Sequence, residues 1–224
     1  MRTTRLLFAM AFAGVMSLSA PAFSQESDII KNFIEAFDAK DKARMSSIVE
    51  ENKDAIPAEI RSLLRQAVAP GTTVEDKEGA FYLAEVMANI YKDKFGDVEP
   101  LKEVKRARFE SLLGPAVRLT SPDGVHIVDL PEATDTVKNI FKPDNIIIKK
   151  GETVRWVNYD KVAHVFASMP FIGKGGLFAP SIEPGGSWEY TFDRPGEYYY
   201  ICFIHKGMIG KVTVEEGDGT ADGK

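Results

Sequence analysis

The single cysteine among 224 residues, Cys202, ends an aromatic run and is followed three positions on by His205 and three beyond that by Met208, within YYYICFIHKGM (residues 198–208). Thiolate, imidazole and thioether are all soft or borderline metal donors. A second imidazole is on offer from His164, while His126 stands mid-run in GVHIVDL with no donor near it in sequence and reads as structural. Two imidazoles and one thiolate in a trigonal arrangement, with a weak axial thioether, hold copper in electron-transfer centres. Zinc also accepts Cys and His, but thioether is a poor zinc ligand, so Met208 favours copper. Alone, Cys202 reads as a small buried hydrophobe, His164 as a loop histidine and Met208 as core. Their conjunction, in this order, points to a metal site.

Strands must position these donors. From SPDG (Ser121–Gly124), a turn by its Pro and Gly, the chain carries short runs rich in β-branched and aromatic residues: VHIVDL, NIIIKK, TVRWVN, HVFAS, SWEYTF, EYYYIC and GKVTVE. KKGE, EPGG and RPGE separate them, and the pattern predicts an antiparallel sandwich or barrel of about one hundred residues. Within it, Trp156 and Tyr198, Tyr199 and Tyr200 read as core by their alternation. Cys202 closes one strand, and a tight loop brings His205 and Met208 round to the start of the next. His164 has to arrive from a neighbouring strand end.

From Gln25 to Arg118 the apolar period is helical, as in Ile29, Phe33 and Phe37, in Ile60, Leu63 and Leu64, and in Leu83, Val86, Met87 and Ile90. Pro57 and Pro100 suit first turns, TTVE (Thr72–Glu75) reads as a capping box, and Gly114 suits a helix end. Four or five short helices are expected. The basic run from Lys102 to Arg108 reads as a solvated helix face. The fold class is therefore α+β in two domains.

Arg2 and Arg5 precede an apolar run that ends in Ala22 and Ser24 at minus three and minus one from Gln25, the pattern of a secretory signal peptide. The expected organisation is a signal peptide over 1–24, a helical domain of unknown role over 25–118, a β domain over 119–216 and a disordered tail over 217–224. Removing Arg2 and Arg5 from 28 basic residues leaves 26 against 33 acidic, a net charge of −7 that disfavours nucleic acid as a partner. No stretch of the mature chain reads as a membrane span. One cysteine in an exported chain cannot form an internal disulfide, so Cys202 is buried and inert or bound to something.

GETVRWVNYDKVAHVF followed by PGEYYYICFIHKGMIGKVTV resembles the blue copper proteins of the plastocyanin and azurin family, with a ligand loop most similar to amicyanin, over about residues 124–215. The resemblance implies a Greek-key cupredoxin sandwich holding one type 1 copper that cycles between Cu(I) and Cu(II). It makes His164, Cys202 and His205 equatorial ligands and Met208 the axial one. Val165 and Phe203 stand where the family usually has Asn and Ser or Thr, so the polar pair tying the ligand loops together is missing. Family geometry also implies an apolar port around His205, for which Pro170, Phe171, Ile172, Phe203, Ile204 and Ile209 are candidates, with Lys174 and Lys206 adding positive charge that suits a partner with a locally acidic rim. A site with four protein ligands has no open position for substrate, and one histidine besides the two ligands is too few for a second copper centre. The expected function is not enzymatic: single-electron transfer between periplasmic redox proteins acting as donor and acceptor. Copper handling is the alternative, but the mature chain lacks Met-rich or His-rich tracts. A third reading is an adaptor in which the helices bind a partner.

Overall fold

The computed structural model describes residues 27–134 and 138–217. The expected signal peptide and residues 218–224 of the expected tail lie outside the described residues. The chain separates into two compact units, one ending at Arg108 and one beginning at Phe109.

The first unit contains helices α1 (Asp28–Asp38), α2 (Lys42–Glu51), α3 (Ile56–Ala67), α4 (Val74–Phe95) and α5 (Glu99–Glu110), the last running across the division. Ile56, Ile60, Leu63, Leu64 and Ala67 form the buried stripe of α3, and Phe81, Ala84, Met87, Ala88 and Tyr91 that of α4. Pro57 and Pro100 lie in first turns as expected. α4, at 22 residues, is not short. Its cap is one residue later than TTVE suggests: Thr73 Oγ1 accepts from Asp76 N at 3.1 Å and donates to Asp76 Oδ2 at 2.7 Å. The Thr72 hydroxyl instead donates to the Gln66 and Ala69 carbonyls at the end of α3. Gly114 ends no helix, since α5 stops at Glu110; the Gly114 N–H donates to Asp144 Oδ2 at 3.0 Å.

The second unit is a β-sandwich. Its strands are β1 (Val117–Arg118), β2 (Val125–Leu130), β3 (Asn145–Lys149), β4 (Thr153–Asn158), β5 (His164–Ser168), β6 (Phe178–Ile182), β7 (Ser187–Thr191), β8 (Gly196–Cys202) and β9 (Ile209–Glu215). One sheet runs β1-β3-β9-β8-β5-β6 and the other β2-β4-β7. The sheets are mixed where antiparallel ones were expected, because β1 with β3, β3 with β9, and β2 with β4 pair in parallel. The cause is the crossing of the chain from β2 to β3 in the opposite sheet and back to β4, which leaves β2 and β4 side by side in the same direction. β1 and β6 were not anticipated.

Alternation along β8 sends Tyr198, Tyr200 and Cys202 into the sandwich core with Trp156, Phe166 and Phe141, while Tyr199 faces the other way against Phe109 and Ile172. Trp156 Nε1 donates to Tyr200 Oη at 3.3 Å within this core. Tyr200 lies opposite Gly210 on β9, and a Cβ at Gly210 would sit 2.3 Å from Tyr200 Cζ and 2.4 Å from its hydroxyl. Glycine is therefore required by close approach of a fully buried ring. Gly210→Ala is expected to destabilise the β unit by about 1–3 kcal/mol, the usual range for overpacking. Both tryptophans, Trp156 and Trp188, belong to this unit, so urea unfolding followed by their fluorescence checks it. An unchanged midpoint would contradict the packing described.

Candidate metal centre

One end of the sandwich collects the donors. Cys202 is the last residue of β8 and His164 the first of β5, and the two strands pair antiparallel with Phe166 opposite Cys202. Beyond the last pair, Phe203 N–H donates to Val165 O at 2.8 Å. This backbone bond joins the two ligand segments where the usual polar side chains are replaced by Val165 and Phe203. After Cys202 the chain turns through Gly207, whose φ of 83° lies in the left-handed region that side chains disfavour. Met208 N–H then donates to His205 O at 3.2 Å, and Cys202 N–H to Met208 O at 2.9 Å, closing the loop before β9.

Within this frame Cys202 Sγ lies 3.9 Å from His164 Nδ1 and 3.5 Å from His205 Nδ1. The three donor atoms all fall within 4.8 Å of one another. The imidazole rings are 4.6 Å apart between centroids. His164 and Cys202 are buried and His205 is half-buried. Met208 is buried in the sandwich core beside this loop. The structure thus brings His164, Cys202 and His205 together and sets Met208 next to them. His126 stays apart, buried, with Nε2 2.9 Å from Glu152 Oε2.

The other nitrogen of His164 identifies its tautomer. Nε2 faces Asp160 Oδ2 at 3.2 Å. An ionised carboxylate only accepts, so the ring proton sits on Nε2 and the Nδ1 lone pair points toward Cys202. Burial, and then the neighbouring His205, push the His164 imidazolium below its ordinary range, which keeps the ring neutral and able to ligate. Burial pushes the Asp160 carboxyl up, but N–H donors from Lys161 and Ala133 and the His164 ring outweigh it and hold the group below the usual carboxylate range.

A buried amide builds the turn that carries Asp160. Asn158 Nδ2 donates to Val162 O and to Ile182 O, both at 2.8 Å, and its Oδ1 accepts from Asp160 N at 2.8 Å. Asp160 was not singled out from the sequence, and Asn158 entered only as the last position of the TVRWVN block upstream of the histidine. The available signal was the pair of polar residues in WVNYDKVAH, one of them four positions before the histidine.

Register corrects the expected port. After β5, Met169 N bonds Tyr199 O and Lys174 N bonds Glu197 O, so residues 169–174 run along β8 away from Cys202. Pro170, Phe171, Ile172 and Lys174 therefore lie toward the far end of the strand, and Ile172 is buried against Tyr199. At the donor end the exposed apolar side chains are Phe203 and Ile204, with Tyr159 and Val162 in the turn before β5.

The donor set fits copper: one thiolate, two imidazoles presenting Nδ1, and a thioether nearby. A β-sandwich with these groups at one end is a cupredoxin. Residues 132–215 match the family described as copper binding proteins, plastocyanin/azurin family. Amicyanin from Paracoccus versutus is 31% identical over 103 residues, covering 44% of this chain and 78% of its own length. Plastocyanin from Scenedesmus fuscus is 38% identical over 85 residues, covering 34% of this chain and 87% of its own. The solved structure of a novel purple cupredoxin from Nitrosopumilus maritimus shares 31% identity over 40% of this chain and 99% of its own, with a TM-score of 0.37. The chain belongs to the plastocyanin/azurin family of copper binding proteins, through its β unit, and its cofactor is copper.

Asn158→Ala removes both donors and the acceptor that shape the turn before His164. It is expected to cost about 1–3 kcal/mol for the buried groups left unpaired. Thermal unfolding of the metal-free protein measures this, and a variant as stable as the parent would show the turn to be held by other means.

Proposed function

We propose that the protein is an exported type 1 copper protein that carries single electrons between periplasmic redox proteins, with His164, Cys202 and His205 as equatorial ligands and Met208 as the axial one. The observation that carries this reading is the convergence of His164, Cys202 and His205, with donor atoms within 4.8 Å of one another and both Nδ1 atoms facing Cys202 Sγ, at one end of the sandwich. Copper bound there supplies a one-electron couple between Cu(II) and Cu(I). The chain's part is to hold the donors in one arrangement for both oxidation states: β5 and β8 fix His164 and Cys202, and the closed loop fixes His205 and Met208.

Two arguments favour a carrier over an enzyme. Four protein ligands leave no position for substrate. Of three histidines in the whole chain, the third, His126, is engaged with Glu152 at the side of β2. The accompanying organisation is a leader over 1–24, a helical domain from 25, the copper domain to 216 and a short tail, with the boundary expected at 118 falling instead at Arg108, before β1 joins the sheet. No helix among the described residues is long and apolar enough to cross a membrane.

Phe203, Ile204, Tyr159 and Val162 give the donor end an apolar surface suited to brief contact with a redox partner. Lys206 is the cation of the ligand loop itself, and the Lys161 ammonium pairs with Glu132. With Lys174 carried to the far end of β8, the positive charge expected to meet an acidic rim is reduced to Lys206, so charge contributes little to docking.

Loaded with Cu(II), the protein is expected to show an intense thiolate-to-copper absorption and narrow copper hyperfine splitting, both lost in Cys202→Ala. A weak, broad spectrum untouched by the substitution would remove Cys202 from the ligand set. Electron-transfer rates with the physiological partner should fall at least tenfold on Phe203→Asp while changing less than about threefold between low and physiological ionic strength. Steep salt dependence would assign docking to charge instead.

A further inference from the structure

Asp160 is the only acidic side chain in the buried class among the described residues, and no lysine or arginine among them forms an ion pair with it; the ammonium of its neighbour Lys161 is turned to Glu132. An isolated buried carboxylate is costly, and the turn that carries it is already closed by Asn158. Its charge is met by hydrogen-bond donors instead of an ion pair. The titratable side chain in contact with it is His164, which faces it through Nε2 and presents Nδ1 to Cys202.

The carboxylate is built into place from all sides. Oδ1 accepts from Lys161 N at 2.7 Å and Ala133 N at 3.3 Å. Oδ2 accepts from Asn139 Nδ2 at 2.7 Å and faces His164 Nε2 at 3.2 Å. Four donors on two oxygens leave it no freedom to rotate away. They also preserve its charge, because every contact stabilises the ionised form.

We propose that Asp160 is a positioning residue of the copper centre, which fixes the Nδ1-ligating tautomer of His164 and places a permanent negative charge one imidazole away from the metal. This rests on the copper reading above. A negative charge at that distance favours Cu(II) over Cu(I), so it holds the reduction potential down. The charge is supplied through the imidazole edge opposite the metal, from a turn that provides no ligand.

The test compares the copper-loaded protein with Asp160→Asn and Asn139→Ala. Asp160→Asn retains an oxygen for His164 and removes the charge. It should keep the thiolate absorption and shift the ratio of Cu(II) to Cu(I) affinity about tenfold toward Cu(I), a rise of about 59 mV for one electron. Asn139→Ala removes a donor to the same carboxylate but leaves its charge, and should leave the potential unchanged or lower it. A ratio that stays within about twofold in Asp160→Asn, or an equal rise in both variants, would overturn the assignment by reducing Asp160 to a structural role. Absence of the thiolate band from the unsubstituted protein would overturn the copper reading, and this assignment with it. An independent measurement needs neither metal nor substitution: nitrogen-15 shifts of His164 in the metal-free protein should show the proton on Nε2. A proton on Nδ1 would refute the proposal even if Asp160→Asn failed to fold.

Discussion

The pairing of β5 with β8 is the constraint on which the centre depends. His164 and Cys202 are 38 residues apart in sequence, and they meet because Phe166 lies opposite Cys202 and the Phe203 N–H reaches Val165 O. Side chains alternate along a strand, so a slip of one residue would turn Cys202 out of the core and direct Ile201 inward. The register is defended by the core itself. Phe166 packs against Trp156, Trp188, Tyr200 and Phe141 with ring centroids 5.1–5.8 Å apart, and none of these contacts survives a slip. Hydrophobic burial thus sets the position of the donors, and the donor chemistry follows from it.

The donors were readable from sequence because chemistry constrains residue type more than it constrains surroundings. A lone cysteine followed by His and Met at equal spacing is hard to account for except as a ligand loop, and the strand ends around it follow from period-two apolar runs. Elements lacking that signal were invisible. β6 reads FAPSI, with a proline and no β-branched run, and it is tolerated because it pairs with β5 alone at the edge of its sheet. β1 is two residues long. The parallel pairings could not be read either, since they join segments distant in sequence and leave no local trace.

Two further points depend on tertiary placement. Phe171 and Lys174 are as near to His164 in sequence as many true site residues are, yet the backbone bonds of that segment carry it along β8 in the wrong direction. Asp160 sits between a tyrosine and a lysine that are both exposed and looks like any solvated turn residue. The Asn158 amide ties the turn across to Ile182 on β6, and Ala133 and Asn139 reach the carboxylate from a separate segment. Burial of polar groups is where a local reading of the chain fails first, because the partners that make it tolerable come from elsewhere.

The last strand, β9, lies in the interior of its sheet between β3 and β8. Until it inserts, the sheet exists as two pieces with unpaired inner edges, β1-β3 on one side and β8-β5-β6 on the other. The loop bearing His205 and Met208 leads directly into β9, so its second end is free for as long as the strand is. Assembly of the donor cluster and closure of the sheet are therefore coupled through β9. β3 and β9 are far apart in sequence, and pairings of that kind form slowly. A folding chain would expose two adhesive edges during that interval, and occupancy of the metal site would act as a report that the interval has ended.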